Sequence, residues 1–249
     1  MKQCPSCQKE LPPSAQGFCP HCGGQVAVQS TVRPSLTQTV SRPKTPADVQ
    51  AAITLDRSGS SHAFAVGIPL IVTMILQMLL AKLRNLIVTL QSHSDLDYGE
   101  KMITLVAGGT ADQVIREVKK IQYEGGGDPE ESHLDAIENL LNTVPWKLDS
   151  RNRGAILAFM TDDTKPARSG KSASQIGRAI RDRGILLYVV CQHTRTLQEL
   201  CDSAQGLMFE ITNEPKAEDL QQIASQLAAS VVATVASGST VPMAAPMGR

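Results

Sequence analysis

The chain has 249 residues, room for one ordinary globular domain with a small module and tails. Lys plus Arg and Asp plus Glu number 24 each, so no overall charge points to nucleic acid or a membrane surface. One Trp, three Tyr and four Phe are too few for the stacking platforms that hold single-stranded nucleic acid.

At the N-terminus, Met1-Lys2-Gln3-Cys4-Pro5 lacks the apolar core of a secretory leader, and the expected location is the cytoplasm. Four cysteines follow the pattern Cys4-x2-Cys7-x11-Cys19-x2-Cys22. Each Cys-x2-Cys pair can turn back and offer two thiolates to one ion, and two such knuckles complete a tetrahedral set that suits Zn²⁺. Two disulfides or a redox pair are the competing readings, disfavoured by the paired knuckles without a secretory signal. The segment is similar to the short zinc ribbons that open many cytoplasmic bacterial proteins. A stretch this short builds no core, so the zinc is expected to be structural and to supply the folding energy. The expected ribbon spans residues 1–26. Residues 27–47, rich in Ser, Thr, Gln, Val and Pro, read as a flexible linker.

From residue 48 to residue 236 strand-like and helix-like patterns alternate. Val49 to Leu55 is a short apolar run of strand length, and Pro69 to Leu83 has helix length with Pro suited to a first turn. Leu86–Gln91 and Met102–Ala107 read as strands joined through a polar turn at Ser92–Gly99. Helices are expected at Ala111–Gln122 and from about Glu130 to Leu141, followed by the strand Ala155–Thr161. Helix Ser174–Arg183, strand Ile185–Val190, helix Thr196–Ala204, strand Leu207–Ile211 and helix Ala217 to about Ala236 complete the series. This alternation predicts an α/β domain with a mostly parallel sheet flanked by helices. Residues 237–249 read as an unstructured tail.

Ala63 to Ala81 carries no charge over nineteen residues, close to membrane-spanning length. Gly67 and Pro69 crowd its front and Thr73 and Gln77 interrupt it, so the expectation is a helix buried against a sheet.

In an open α/β sheet, ligands gather at the C-terminal ends of the strands. Three polar clusters are expected there. Asp56-Arg57-Ser58-Gly59-Ser60 follows the first strand and sets three side-chain oxygens at alternate positions. A carboxylate with two hydroxyls suits a hard divalent cation, although a taut turn with its side chains in solvent has the same sequence. Gly125-Gly126-Gly127-Asp128-Pro129-Glu130 leads into a helix, and Thr161-Asp162-Asp163 follows an apolar strand.

On these motifs, their order and their spacing, residues 48–236 resemble the von Willebrand factor A (vWA) family. Its metal-ion-dependent adhesion site uses an Asp-x-Ser-x-Ser loop, a second-loop Thr or Asp and a third-loop Asp. The resemblance implies a Rossmann-like sheet with one Mg²⁺ or Mn²⁺ at its upper edge. Ser58 and Ser60 would ligate the ion directly, Asp56 and Asp162 through bound waters, and Asp128 would serve from the second loop. Thr110, in Gly108-Gly109-Thr110, imitates that second loop but lies 52 residues before Asp162, against 34 for Asp128. Asp163 stands where the family usually has Gly, adding negative charge.

Catalysis finds little support. The chain has no Gly-x4-Gly-Lys-Ser/Thr loop and no Gly-x-Ser-x-Gly elbow, and its five His are scattered. His62 reads as a solvent-facing loop residue, and Cys191 and Cys201 as small buried residues. The expected function is therefore a cytoplasmic adaptor whose bound metal is completed by an Asp or Glu of a partner protein. The alternative makes the zinc ribbon the working part, contacting nucleic acid or a transcription or repair assembly. Five Lys/Arg against two Asp/Glu in residues 1–50 give it slight support.

Overall fold

Side chains along strand β1 (Asp48–Asp56) alternate between two cores, the two-residue period of a pleated strand. Val49, Ala51, Ile53 and Leu55 enter one core, and Ala52 enters the other. β1 therefore lies inside a sheet covered on both faces. The computed structural model describes residue 8 and residues 48–61, 67–212 and 215–244. The chain divides into two units, Met1–Arg42 and Pro43–Arg249, and every described residue except Gln8 belongs to the second. Cys4, Cys7, Cys19 and Cys22, the expected linker and His62 lie outside the described residues.

Six strands form one sheet in the order β3-β2-β1-β4-β5-β6. They are β1, β2 (Asn85–His93), β3 (Ile103–Gly109), β4 (Asn152–Phe159), β5 (Ile185–Cys191) and β6 (Leu207–Glu210). All neighbours are parallel except β2 and β3, which run antiparallel. The link from Ser94 to Met102 explains the exception: its nine residues are too few for the crossover that a parallel pair requires.

Helices α1 (Gly67–Leu80), α2 (Ala111–Val118) and α6 (Ala217–Ser237) cover one face. Helices α3 (His133–Thr143), α4 (Ala173–Asp182) and α5 (Arg195–Ala204) cover the other. Their starts are capped as their sequences demand. Thr110 and Ser172 each form a reciprocal capping box, and the Thr194 hydroxyl accepts from Leu197 N. Thr110 is thus the cap of α2. Three helices differ from expectation by three or more residues at an end. α1 stops at Leu80 rather than Leu83, α2 stops at Val118 rather than Gln122, and α3 begins at His133 because Glu131 is held extended in a parallel bridge to Thr164.

The long uncharged stretch becomes α1, fourteen residues with Ile68, Ile71, Val72, Ile75, Leu76 and Leu79 buried. It packs against the sheet and α6, where each fully buried Leu or Ile contributes about 1.5–3 kcal/mol. Among the described residues no helix is long and apolar enough to cross a membrane. After α6, Gly238 closes the helix in the left-handed region, and Met243 N donates to Thr234 Oγ1 at 2.8 Å, so the chain folds back on the helix. Cys191 and Cys201 are buried free thiols, each pushed up to about 12 by burial.

Candidate metal centre

β1 is the pivot of the site. It pairs with β2 and β4, setting Asp56 opposite His93 and Leu55 opposite Phe159. The loops after β1 and β4 therefore emerge side by side, and Thr161 reaches Asp56. Asp56 is fully buried. Its Oδ1 accepts from Ser58 N at 2.8 Å, closing a tight turn on itself, and its Oδ2 accepts from Thr161 Oγ1 at 2.6 Å. Hydroxyls gather around this carboxylate. Ser58 Oγ and Ser60 Oγ are 2.9 Å apart, and Ser61 Oγ and Thr161 Oγ1 are 3.0 Å apart. Ser58, Ser61 and Thr161 are buried while Ser60 is exposed, so the cluster opens to solvent on one side. Burial works against the Asp56 charge, yet the hydrogen bonds from the Thr161 hydroxyl and Ser58 N hold the carboxyl below its usual range.

Below the cluster runs a buried polar ladder. Thr54 Oγ1 meets His93 Nδ1 at 2.9 Å, and His93 Nε2 meets His133 Nδ1 at 2.8 Å with the rings edge to face. Burial lowers both imidazoles, His93 to about 3, so the pair is neutral. Forty residues separate these histidines, which is why they look scattered in the sequence.

The second loop is fastened to the first by its backbone. Glu124 N donates to Arg57 O and Gly59 N to Gly125 O, both at 2.9 Å, while Gly126 N donates to Glu100 Oε1 at 2.9 Å. Gly126 has φ 78°, and a Cβ there would stand 2.8 Å from Glu131 Oε1 and 3.5 Å from Ser58 Cβ. The missing side chain leaves room for the Glu131 carboxyl between the second loop and Ser58. Burial, reinforced by Asp56 and Asp95, pushes that carboxyl up to about 8.

Asp128 points elsewhere. Its Oδ2 lies 3.1 Å from Lys165 Nζ, and its Oδ1 accepts from Glu130 N at 3.1 Å. Lys165 also holds the fully buried Asp95 at 2.6 Å and Asp97 at 3.4 Å, with its ammonium over the Tyr98 ring. Asp162 stands half-buried next to Thr161. The structure thus joins Asp56, Ser58 and Ser60 as the motif implies, and adds Ser61, Thr161 and Glu131. Asp128 pairs with Lys165 instead.

The serine and threonine side chains gathered around Asp56 offer oxygen, the chemistry of a hard divalent cation. Among the described residues no three His, Cys, Asp or Glu side chains form a metal-binding group. A cation here would accordingly need the hydroxyls as well as the carboxylates.

No protein-family model matches the chain, and no curated protein does. Solved structures do. The VWA domain of SpRpn10 aligns with a TM-score of 0.55 at 12% identity over 72% of this chain and 95% of that one. The chain has the vWA fold. Proximal thread matrix protein 1 from the mussel byssus, whose metal-ion-dependent adhesion site holds zinc, also aligns with a TM-score of 0.55. Its identity is 10%, over 74% of this chain, and the alignment spans just under half of that protein, 46%. The vWA sheet order accounts for the place of the site, since the loops after β1 and β4 share its upper edge.

Proposed function

We propose that this vWA domain is a metal-dependent protein-interaction module acting as an adaptor in a cytoplasmic complex. The observation that carries the reading is Asp56: a fully buried carboxylate, held ionised between Ser58 N–H and the Thr161 hydroxyl, beneath converging serine hydroxyls. Ser58 and Ser60 would hold Mg²⁺ or Mn²⁺ directly, with Asp56 and Asp162 acting through bound waters. The bound cation supplies an open coordination position for an Asp or Glu carboxylate of a partner. The protein's own part is to fix that geometry. Asp56 orients both loops, the buried hydroxyls exclude bulk water on one side, and exposed Ser60 leaves the other side accessible.

Cys4, Cys7, Cys19 and Cys22 would hold a structural zinc as a separate module, with residues 27–47 as the tether. The reading is non-enzymatic. It is tested by recovering partners on the tagged full chain with Mg²⁺ and with EDTA. Partners are expected to be lost with EDTA and with Asp56→Ala; recovery unchanged in both would defeat the mechanism.

A further inference from the structure

Glu131 is buried to 1% exposure, and its Oε2 has no hydrogen-bond partner among the described residues. A buried carboxylate oxygen without a partner is costly, and such groups persist where a ligand satisfies them. The backbone around it is fixed on both sides. Glu131 N donates to Asp163 O at 3.0 Å, Lys165 N donates to Glu131 O at 2.9 Å, and the residue bridges to Thr164. The side chain is consequently delivered to one place, the space beside Gly126 and Ser58. The neighbouring acid that the spacing favours, Asp128, is 40% exposed at its side chain and already paired with Lys165.

We propose that Glu131, rather than Asp128, is the second loop's direct ligand to the divalent cation, with its free Oε2 as the coordinating atom. This rests on the reading that the Asp56 cluster holds such a cation. With Asp56 and Asp162 it brings three carboxylates to one divalent ion, so the centre carries no net positive charge before any partner arrives. Two consequences follow. The chain retains its cation without a partner, and the partner's group meets a net negative centre rather than a neutral one. A Glu131→Gln protein therefore binds the cation more weakly but, once saturated with it, binds a carboxylate ligand more tightly.

The test titrates Mn²⁺ into the full chain by calorimetry, with the melting temperature of the metal-free protein measured in parallel. Glu131→Gln is expected to weaken Mn²⁺ binding at least tenfold, while Asp128→Asn stays within twofold of wild type. Metal-free Glu131→Gln is expected to melt close to the wild-type temperature, because the amide keeps the shape of a carboxyl that burial already holds uncharged without the cation; this separates lost ligation from lost folding. Glu131→Gln within twofold of wild type, or Asp128→Asn losing as much as it does, overturns the assignment while leaving the metal site standing. Wild type that binds neither Mn²⁺ nor Mg²⁺ overturns both the assignment and the metal-dependent function.

Discussion

Asp56 is the residue on which the upper edge of the sheet is organised, and Thr161 is what allows it to stay charged. The Thr161 hydroxyl donates to Asp56 Oδ2 at 2.6 Å from the loop after β4, whose strand is the neighbour of β1 only in the fold. Thr161→Val keeps the shape but leaves a buried carboxylate oxygen without its donor, which costs about 1–3 kcal/mol. Urea unfolding is expected to show that loss, and Thr161→Ser to restore most of it. The histidine pair gives a second residue-scale expectation. An unfolded imidazole titrates near pH ~6.5, while His93 is lowered to about 3 in the fold. Below pH ~6.5 the unfolded chain thus binds the extra proton, so the stability that neutral His93 allows is intact above that value and lost as the pH falls. Between pH 7 and 5 the loss is about 2 kcal/mol for this one group. Glu131, pushed up to about 8 by burial, acts in the opposite sense over the same range. The measurement is for that reason the stability difference between wild type and His93→Gln, which should shrink by about 2 kcal/mol from pH 7 to 5. A difference that does not vary with pH would show that His93 is not held neutral.

Among the elements, the loops are less independent than their sequences suggest. Lys165, just after the third cluster, reaches Asp95 after β2, Asp97 in the single turn Leu96–Tyr98, and Asp128 in the second loop. Removing one partner of a buried ion pair strands the other charge, so Lys165→Met is expected to cost about 3–5 kcal/mol through the fully buried Asp95. Adding Asp95→Asn should recover most of that loss, and a double-mutant cycle by chemical denaturation reads the coupling. If the two losses simply add, the cluster is not a clamp. The same loops show where sequence patterning reaches its limit. Strands and helices from Val49 onward are legible because apolar runs and caps are local signals. The Asp56, Ser58 and Ser60 triplet is legible because alternate positions in a short turn stay together. The direction of β3 was available too, in the nine-residue link before it. The choice among Asp128, Glu130 and Glu131 was not. Spacing along the chain brings the whole acidic segment to the edge, but the bridge between Glu131 and Thr164, thirty-three residues apart, decides which carboxyl turns inward. Thr161 and the His93–His133 pair depend on strand register in the same way.

Across the whole domain, the candidate centre is coupled to stability because its donors come from three loops on one sheet edge. Asp56 lies at the end of the central strand, Thr161 follows the neighbouring strand, and Glu131 is pinned to the loop after it. Unfolding separates all of them, so a cation held there binds the folded chain and not the unfolded one. Mass action then converts affinity into stability, about 2.7 kcal/mol at a hundredfold excess over the dissociation constant. For a domain of this size that moves the melting temperature by about 5–10 °C. Mn²⁺ or Mg²⁺ is accordingly expected to raise the melting temperature of the full chain, with a shift that grows logarithmically with concentration. Asp56→Asn should abolish the shift, since it removes the charge around which Ser58 and Thr161 are arranged. A wild-type shift that persists in Asp56→Asn would place the responsible ion elsewhere in the chain, with the four N-terminal cysteines the first group to substitute.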